Sequence, residues 1–148
     1  MPNQDSKSKG HRPGKGKRSL LERLIHGELT SSQLREVDPA LYQGLKINAS
    51  PALLAFHATR FRLIADLTQA EAAQRLQGVH RSTLQRVEGG RHQGVGLRHI
   101  DALCWLYGTR IEDLFQRIDV EALPPDLLKH PRRSADGLGK GSQGPEAP

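Results

Sequence analysis

The stretch Thr68–Glu88, TQAEAAQRLQGVHRSTLQRVE, decides how the chain is read. Thr68 with Glu71 three residues on is a capping-box pattern. The hydroxyl accepts from the first free backbone amides and the carboxylate reaches back, so a helix starts there. Ala72, Ala73 and Leu76 form its apolar side, and the small pair at 72 and 73 lets a second helix cross closely. Gln77-Gly78-Val79 makes a turn. A second helix follows, with Leu84 and Val87 spaced to bury one side and Arg81, Ser82, Gln85 and Arg86 polar on the other. Gly89-Gly90 ends it, as glycine beyond a helix C-terminus does.

Two short helices crossing through a tight turn form a helix-turn-helix arrangement. A polar second helix in that setting has the build of one that enters a DNA major groove. Upstream, Ser50-Pro51 predicts a helix start, with serine as cap and proline in the first turn, and Leu54, Ala58, Phe61 and Ala65 follow along one face to about Asp66. Downstream, RHQGVG reads as a loop. Leu97, Ile100, Leu103, Cys104 and Tyr107 mark a strongly periodic helix closed by Gly108. Thr109 with Glu112 predicts a further capping box, opening a last helix that carries Ile111, Leu114, Phe115 and Ile118.

Further out, Ser19/Glu22 and Thr30/Gln33 repeat the capping signal, and Asp38-Pro39 gives a cap followed by proline. Residues 19–47 therefore read as two or three short helices. They are too few to hold a core of their own, so they pack on the main domain, on a second copy or on a partner. Residues 1–18 carry six Lys/Arg against one Asp and no aliphatic residue after Met1, a composition that predicts a disordered basic arm. The chain after Val120, with Pro124-Pro125 and a Gly/Pro-rich end, reads as tail. The expected division is an arm at 1–18, a helical extension at 19–49, a DNA-binding domain at 50–119 and a tail at 120–148.

Composition narrows the function classes. The 148 residues carry a net charge of +6, which favours a polyanion partner without naming it. Residues 50–119 hold nine Arg, seven acids and no Lys. Arginine's planar fork suits phosphates and base edges, although a codon-usage bias would produce the same enrichment. No run of about eighteen apolar residues implies a membrane span. A single cysteine, Cys104, forbids an internal disulfide and fits a reducing compartment, here the cytoplasm with its nucleoid. It reads as a small core residue. Seven scattered histidines form no ligand set, and GLGKGS near the C-terminus lacks the strand and the hydroxyl residue of a phosphate loop. No catalytic residue, metal or cofactor is implied.

Residues 53–115 resemble the Cro/phage-repressor-type (XRE-like) helix-turn-helix domain. The resemblance is carried by three blocks in order: LTQAEAAQRL, RSTLQRVEGG and IDALCWLYGTRIEDLF. It implies an all-α, compact five-helix, lambda-repressor-like domain, here with a short N-terminal helical extension and disordered tails. It also implies that Gln69 meets a phosphate and buttresses the recognition helix, and that Arg81, Ser82, Thr83, Gln85 and Arg86 face bases or backbone. Glu88 is implied to pair with Arg62 on the domain's first helix as a structural tie. The turn is one residue longer than the family's usual turn, and His80 stands where the family prefers Ser or Thr. The loop Arg91–Gly96 is also about one residue longer than usual. An extra turn residue rotates the recognition helix, so the pairing of individual side chains with bases stays open.

In chemical detail, Arg81 or Arg86 could fork to a guanine and Gln85 to an adenine, while Arg91 and His92 suit phosphates. One such unit buries too little to be specific alone, so the expected species is a homodimer on a two-fold operator in double-stranded DNA. Its contact is expected at Leu114, Phe115 and Ile118 or in residues 19–47, which could also hold a protein partner. The expected function is a transcription regulator, acting as a repressor by occluding polymerase. Two alternatives remain: an antitoxin that regulates its own operon, and a protein-interaction module that keeps the fold.

Overall fold

The structure, a computed structural model, describes residues 18–129. Among them every regular element is a helix: α1 (Leu20–Ile25), α2 (Ser31–Val37), α3 (Pro39–Lys46), α4 (Ser50–Ile64), α5 (Gln69–Arg75), α6 (Arg81–Glu88), α7 (Leu97–Tyr107) and α8 (Ile111–Leu114). The last five form the five-helix domain and the first three the extension. The basic arm, apart from Arg18, and the chain beyond residue 129 lie outside the described residues.

Most helix starts follow from local chemistry. Ser19 Oγ accepts from the Glu22 amide at 3.1 Å while Glu22 Oε1 accepts from the Ser19 amide at 2.8 Å. Thr30 with Gln33 and Thr68 with Glu71 repeat this reciprocal pair. Asp38 Oδ1 accepts from the Leu41 amide at 3.1 Å, ahead of Pro39 in the first turn of α3. Each such cap offsets an otherwise unpaired amide and stabilises by about 1 kcal/mol. Two starts differ from expectation. Ala49, not Ser50, occupies the N-cap of α4 and makes no side-chain bond. The last helix starts one residue later than Thr109 predicts, with Asp113 Oδ2 accepting from the Arg110 amide at 2.8 Å.

Helix α4 is the centre of the molecule. It packs against α1 and α3 on the extension side and against α6, α7 and α8 on the other. Residues 52–59 are all buried, which requires apolar side chains around the whole helix and not on one stripe. Two cores result. Ala52, Ala55 and Phe56 join Leu21, Leu24, Ile25, Leu34, Tyr42 and Leu45. Leu54, Ala58 and Phe61 join Leu76, Leu84, Val87, Leu103 and Leu114. Of the three expected fates of the extension, packing on the main domain is the one observed.

The chain after α8 departs from the reading as tail. Residues 116–129 form a strap across the extension, with Val120 and Leu127 in the first core. Side chains hold its backbone. Asn48 Oδ1 accepts from the Ile118 amide at 2.7 Å, Arg60 Nε donates to the Leu127 carbonyl at 2.8 Å, and His57 Nε2 pairs with the Gln116 carbonyl at 2.8 Å. Glu121 accepts from the Tyr42 hydroxyl and from Lys46 Nζ, which together hold its carboxyl below the usual range. The prolines suppress helix here but do not prevent burial.

The expected dimer contact also needs correction. Leu114 is 0% exposed, inside the second core. Phe115 is half-buried against that core and Ile118 against the first. These side chains fill their own chain's interior because α8 is the lid that closes α4 and α7, so they offer little to a second copy.

Candidate nucleic-acid interface

Helices α5 and α6 pack on each other and α6 packs on α4. Between α5 and α6 the chain turns through Leu76, which leaves the helix with extended dihedrals, and Gly78, whose φ of +75° lies in the left-handed region. A side chain at 78 would meet nothing, so the conformation alone selects glycine. The turn therefore accommodates its full length with Val79 tucked into the core and α6 starting at Arg81. His80 occupies the α6 N-cap without a side-chain bond, leaving the amides at that end unsatisfied by their own cap.

Helix α6 is sharply two-sided. Leu84 and Val87 enter the core, and Thr83 and Glu88 are buried beside them. Arg81, Ser82 and Gln85 are exposed. Arg81 and Gln85 are four apart, hence neighbours on one face at roughly 5–6 Å between Cβ atoms. Thr83 is corrected by this geometry: it is 6% exposed and its Oγ1 accepts from Arg86 at 3.3 Å, so it does not reach a base. Arg86 is half-buried and folds back over the loop, where a Cβ on Gly94 would lie 3.4 Å from its guanidinium. Arg91 and His92 are exposed in that loop. The loop passes into α7 through a cap that the sequence did not suggest. His99 Nδ1 accepts from the Gly96 amide at 3.0 Å, and burial followed by the charges of Arg98 and Arg86 lowers the histidine's pKa.

The inner end of α6 is fixed by a charge cluster. Arg62 on α4 is 3% exposed. Its Nε donates to Glu88 Oε2 at 2.8 Å and one terminal nitrogen to Glu88 Oε1 at 2.9 Å, a two-pronged pair. The other terminal nitrogen donates to the Leu67 carbonyl at 2.8 Å. Burial opposes the charge, but the bonds to Glu88 and Glu22 outweigh it and hold the guanidinium above the usual arginine range. Gln69 Nε2 donates to Glu88 Oε1 at 3.0 Å, so in this structure Gln69 reaches the recognition helix through Glu88. Tyr107 is buried nearby, its hydroxyl without a partner among the described residues. Burial and the charge of Glu88 push its pKa up.

Glu22 is the member that sequence reading missed. Its Oε2 lies 2.5 Å from Arg62 while its Oε1 closes the capping box of α1. One carboxylate thus starts a helix of the extension and completes the shell of a buried arginine in the DNA-binding unit. The capping role is legible from spacing and hides the second role, because nothing local points forty residues along the chain.

A buried tie at one end, a crossing helix behind and an exposed polar face define a helix-turn-helix DNA-binding domain. Residues 53–117 match the family model described as a helix-turn-helix domain, in agreement with the Cro/phage-repressor-type resemblance. The match leaves out the extension and most of the strap. No curated protein and no solved structure matches the chain. Among the described residues no cluster of His, Cys, Asp or Glu could hold a metal ion, and no helix is long and apolar enough to cross a membrane.

Proposed function

We propose that the protein is a sequence-specific transcription regulator that binds a two-fold operator as a homodimer and represses by occupying it. The observation that carries this reading is the exposed edge of α6, Arg81, Ser82 and Gln85, opposite a face locked by Glu88 to Arg62. Rigid mounting matters because base discrimination needs donors and acceptors held in register. Arg81 supplies a fork for a guanine and Gln85 a donor–acceptor pair for an adenine. Arg91, His92 and Ser82 are placed to meet phosphates. Arg86 acts first on the loop and reaches DNA only at the rim. Gln69 bridges Glu88 to the backbone of the duplex.

The test is selection of duplexes from a random-sequence pool by the full chain, followed by a salt titration of the enriched sequence against an unselected one. A regulator enriches one motif and holds it at physiological salt. Weak binding that is steeply salt-dependent and equal on both duplexes would reduce the protein to a non-specific polyanion binder.

A further inference from the structure

Of the groups bonded to Arg62, Glu22 alone lies outside the helix-turn-helix unit. Its two carboxylate oxygens have separate tasks. Oε1 accepts from the Ser19 amide at 2.8 Å and fixes the start of α1, while Oε2 accepts from Arg62 Nη2 at 2.5 Å. Nη2 carries two hydrogens, and its other bond is the 2.9 Å contact to Glu88 Oε1. One nitrogen therefore joins a helix of the extension to the last residue of α6. Across the same guanidinium, Nη1 holds the Leu67 carbonyl beside the Thr68 cap of α5. The plane of this group sets the start of α5 and the end of α6 together. Glu22 takes a hydrogen that would otherwise go unpaired in a buried site.

The exposed edge of α6 depends on that far end. His80 gives the α6 N-terminus no side-chain bond, so Glu88 anchors the helix from its last turn. A carboxylate there faces the negative end of the helix dipole and is unfavourable without a cation beside it. Arg81, the first residue of α6, stands about 10 Å from Glu88 along the axis. A tilt of about 5° at Glu88 shifts Arg81 by roughly 1 Å, twice the tolerance of about 0.5 Å for a preorganised site.

We infer that Glu22 is a positioning residue for α6: from the extension, through Arg62 and Glu88, it sets the orientation in which α6 meets a duplex. The effect on DNA rests on the regulator reading, whereas the hold on α6 does not. The extension thereby tunes base discrimination as well as the stability of the fold.

The experiment uses the full chain and two variants that separate the tasks of Glu22. Glu22→Gln keeps the capping box, because glutamine closes the same box in α2, where Gln33 Oε1 accepts from the Thr30 amide at 2.8 Å. With that oxygen engaged, the amide nitrogen of the new side chain faces Nη2, donor against donor, and pushes the guanidinium off Glu88. Ser19→Ala does the reverse. It removes the hydroxyl that accepts from the Glu22 amide at 3.1 Å but keeps the backbone amide that holds Oε1. In amide hydrogen exchange of the DNA-free chain, Glu22→Gln should accelerate α6 about tenfold with α7 little changed, and Ser19→Ala should spare both. In competition between the enriched duplex and an unselected one, discrimination should fall about fivefold in Glu22→Gln and hold in Ser19→Ala. Made in an Arg81→Ala background, Glu22→Gln should lose most of that effect, since it acts through the placing of that side chain. Unchanged exchange in α6, or equal acceleration of every helix, would overturn the inference. Discrimination that is unchanged in Glu22→Gln, or lowered equally by both variants, would also overturn it and leave the regulator reading intact. A pool that enriches nothing defeats the regulator reading instead, and exchange in α6 then decides alone whether Glu22 positions it.

Discussion

Replacing Glu88 by alanine removes both carboxylate contacts to Arg62, at 2.8 and 2.9 Å, and the acceptor for Gln69 at 3.0 Å. Arg62 stays where it is, 3% exposed, because α4 is fixed on both sides by the two cores. It then keeps only the Glu22 contact and the Leu67 carbonyl. Orphaning one member of a buried pair costs about 3–5 kcal/mol. The surviving Glu22 partner places Glu88→Ala at the lower end, about 3 kcal/mol. For a unit of this size that lowers the melting temperature by roughly 10–15 °C. Glu22→Ala should cost less, about 1 kcal/mol, since the Glu22 side chain is 16% exposed and water can replace part of what it gives. Removing both charges together, as Arg62→Met with Glu88→Leu, should restore stability to within about 2 kcal/mol of the original chain. Urea denaturation followed by circular dichroism reads all of these. A loss below about 1 kcal/mol in Glu88→Ala, or equal losses at Glu22 and Glu88, would mean that the pair is not the anchor of α6 and that packing by Leu84 and Val87 holds it alone.

Three further outcomes follow from the same geometry. Arg81→Ala and Gln85→Ala should each reduce discrimination between enriched and random duplex by about 1–3 kcal/mol, measured by competition binding; equal loss on both duplexes would reassign them to phosphates. Leu34→Ala, in the extension but 0% exposed, should destabilise by about 2–5 kcal/mol and shift a single unfolding transition that includes α6; two separate transitions would show that the extension is an independent unit. Stability should also fall with acid through His57. Burial pushes its pKa down to about 4 against the bond to the Gln116 carbonyl, with Arg60 lowering it and Asp113 raising it. The unfolded chain takes up this proton near pH 6.5 and the folded chain only near 4, so stability is full above 6.5 and declines by about 3 kcal/mol as pH falls to 4. A His57→Gln variant whose stability shows the same slope between those pH values would refute the assignment.

How far the sequence reveals the molecule depends on the range of each interaction. Capping boxes at Ser19, Thr30 and Thr68 span three residues, so spacing finds them, and their helices start where they predict. Of the two failed starts, the one at Thr109 moves to Arg110, whose amide Asp113 caps, and the one at Ser50 moves to Ala49, which offers no side-chain cap at all. The pairing of Arg62 with Glu88 enters through the family resemblance, not from spacing. Glu22, forty residues from Arg62, is visible only once α1 is seated on α4. Thr83 illustrates a finer limit. A polar residue on a recognition helix reads as outward-facing, but one step of about 100° separates an exposed position from a core position. The strap escapes detection because its order comes from side chains of α3, α4 and the turn between them and not from its own pattern.

The sharing of α4 between two cores sets where this reader can be cut for use elsewhere. A graft taken at the family boundary, residues 53–117, or at the cap before Ser50, would carry Ala55 and Phe56 into water and leave Arg62 without Glu22. The transplantable unit runs from Ser19 to about Lys129. A chimera built to that length keeps both sides of α4 covered, and one built shorter inherits a helix with an adhesive flank.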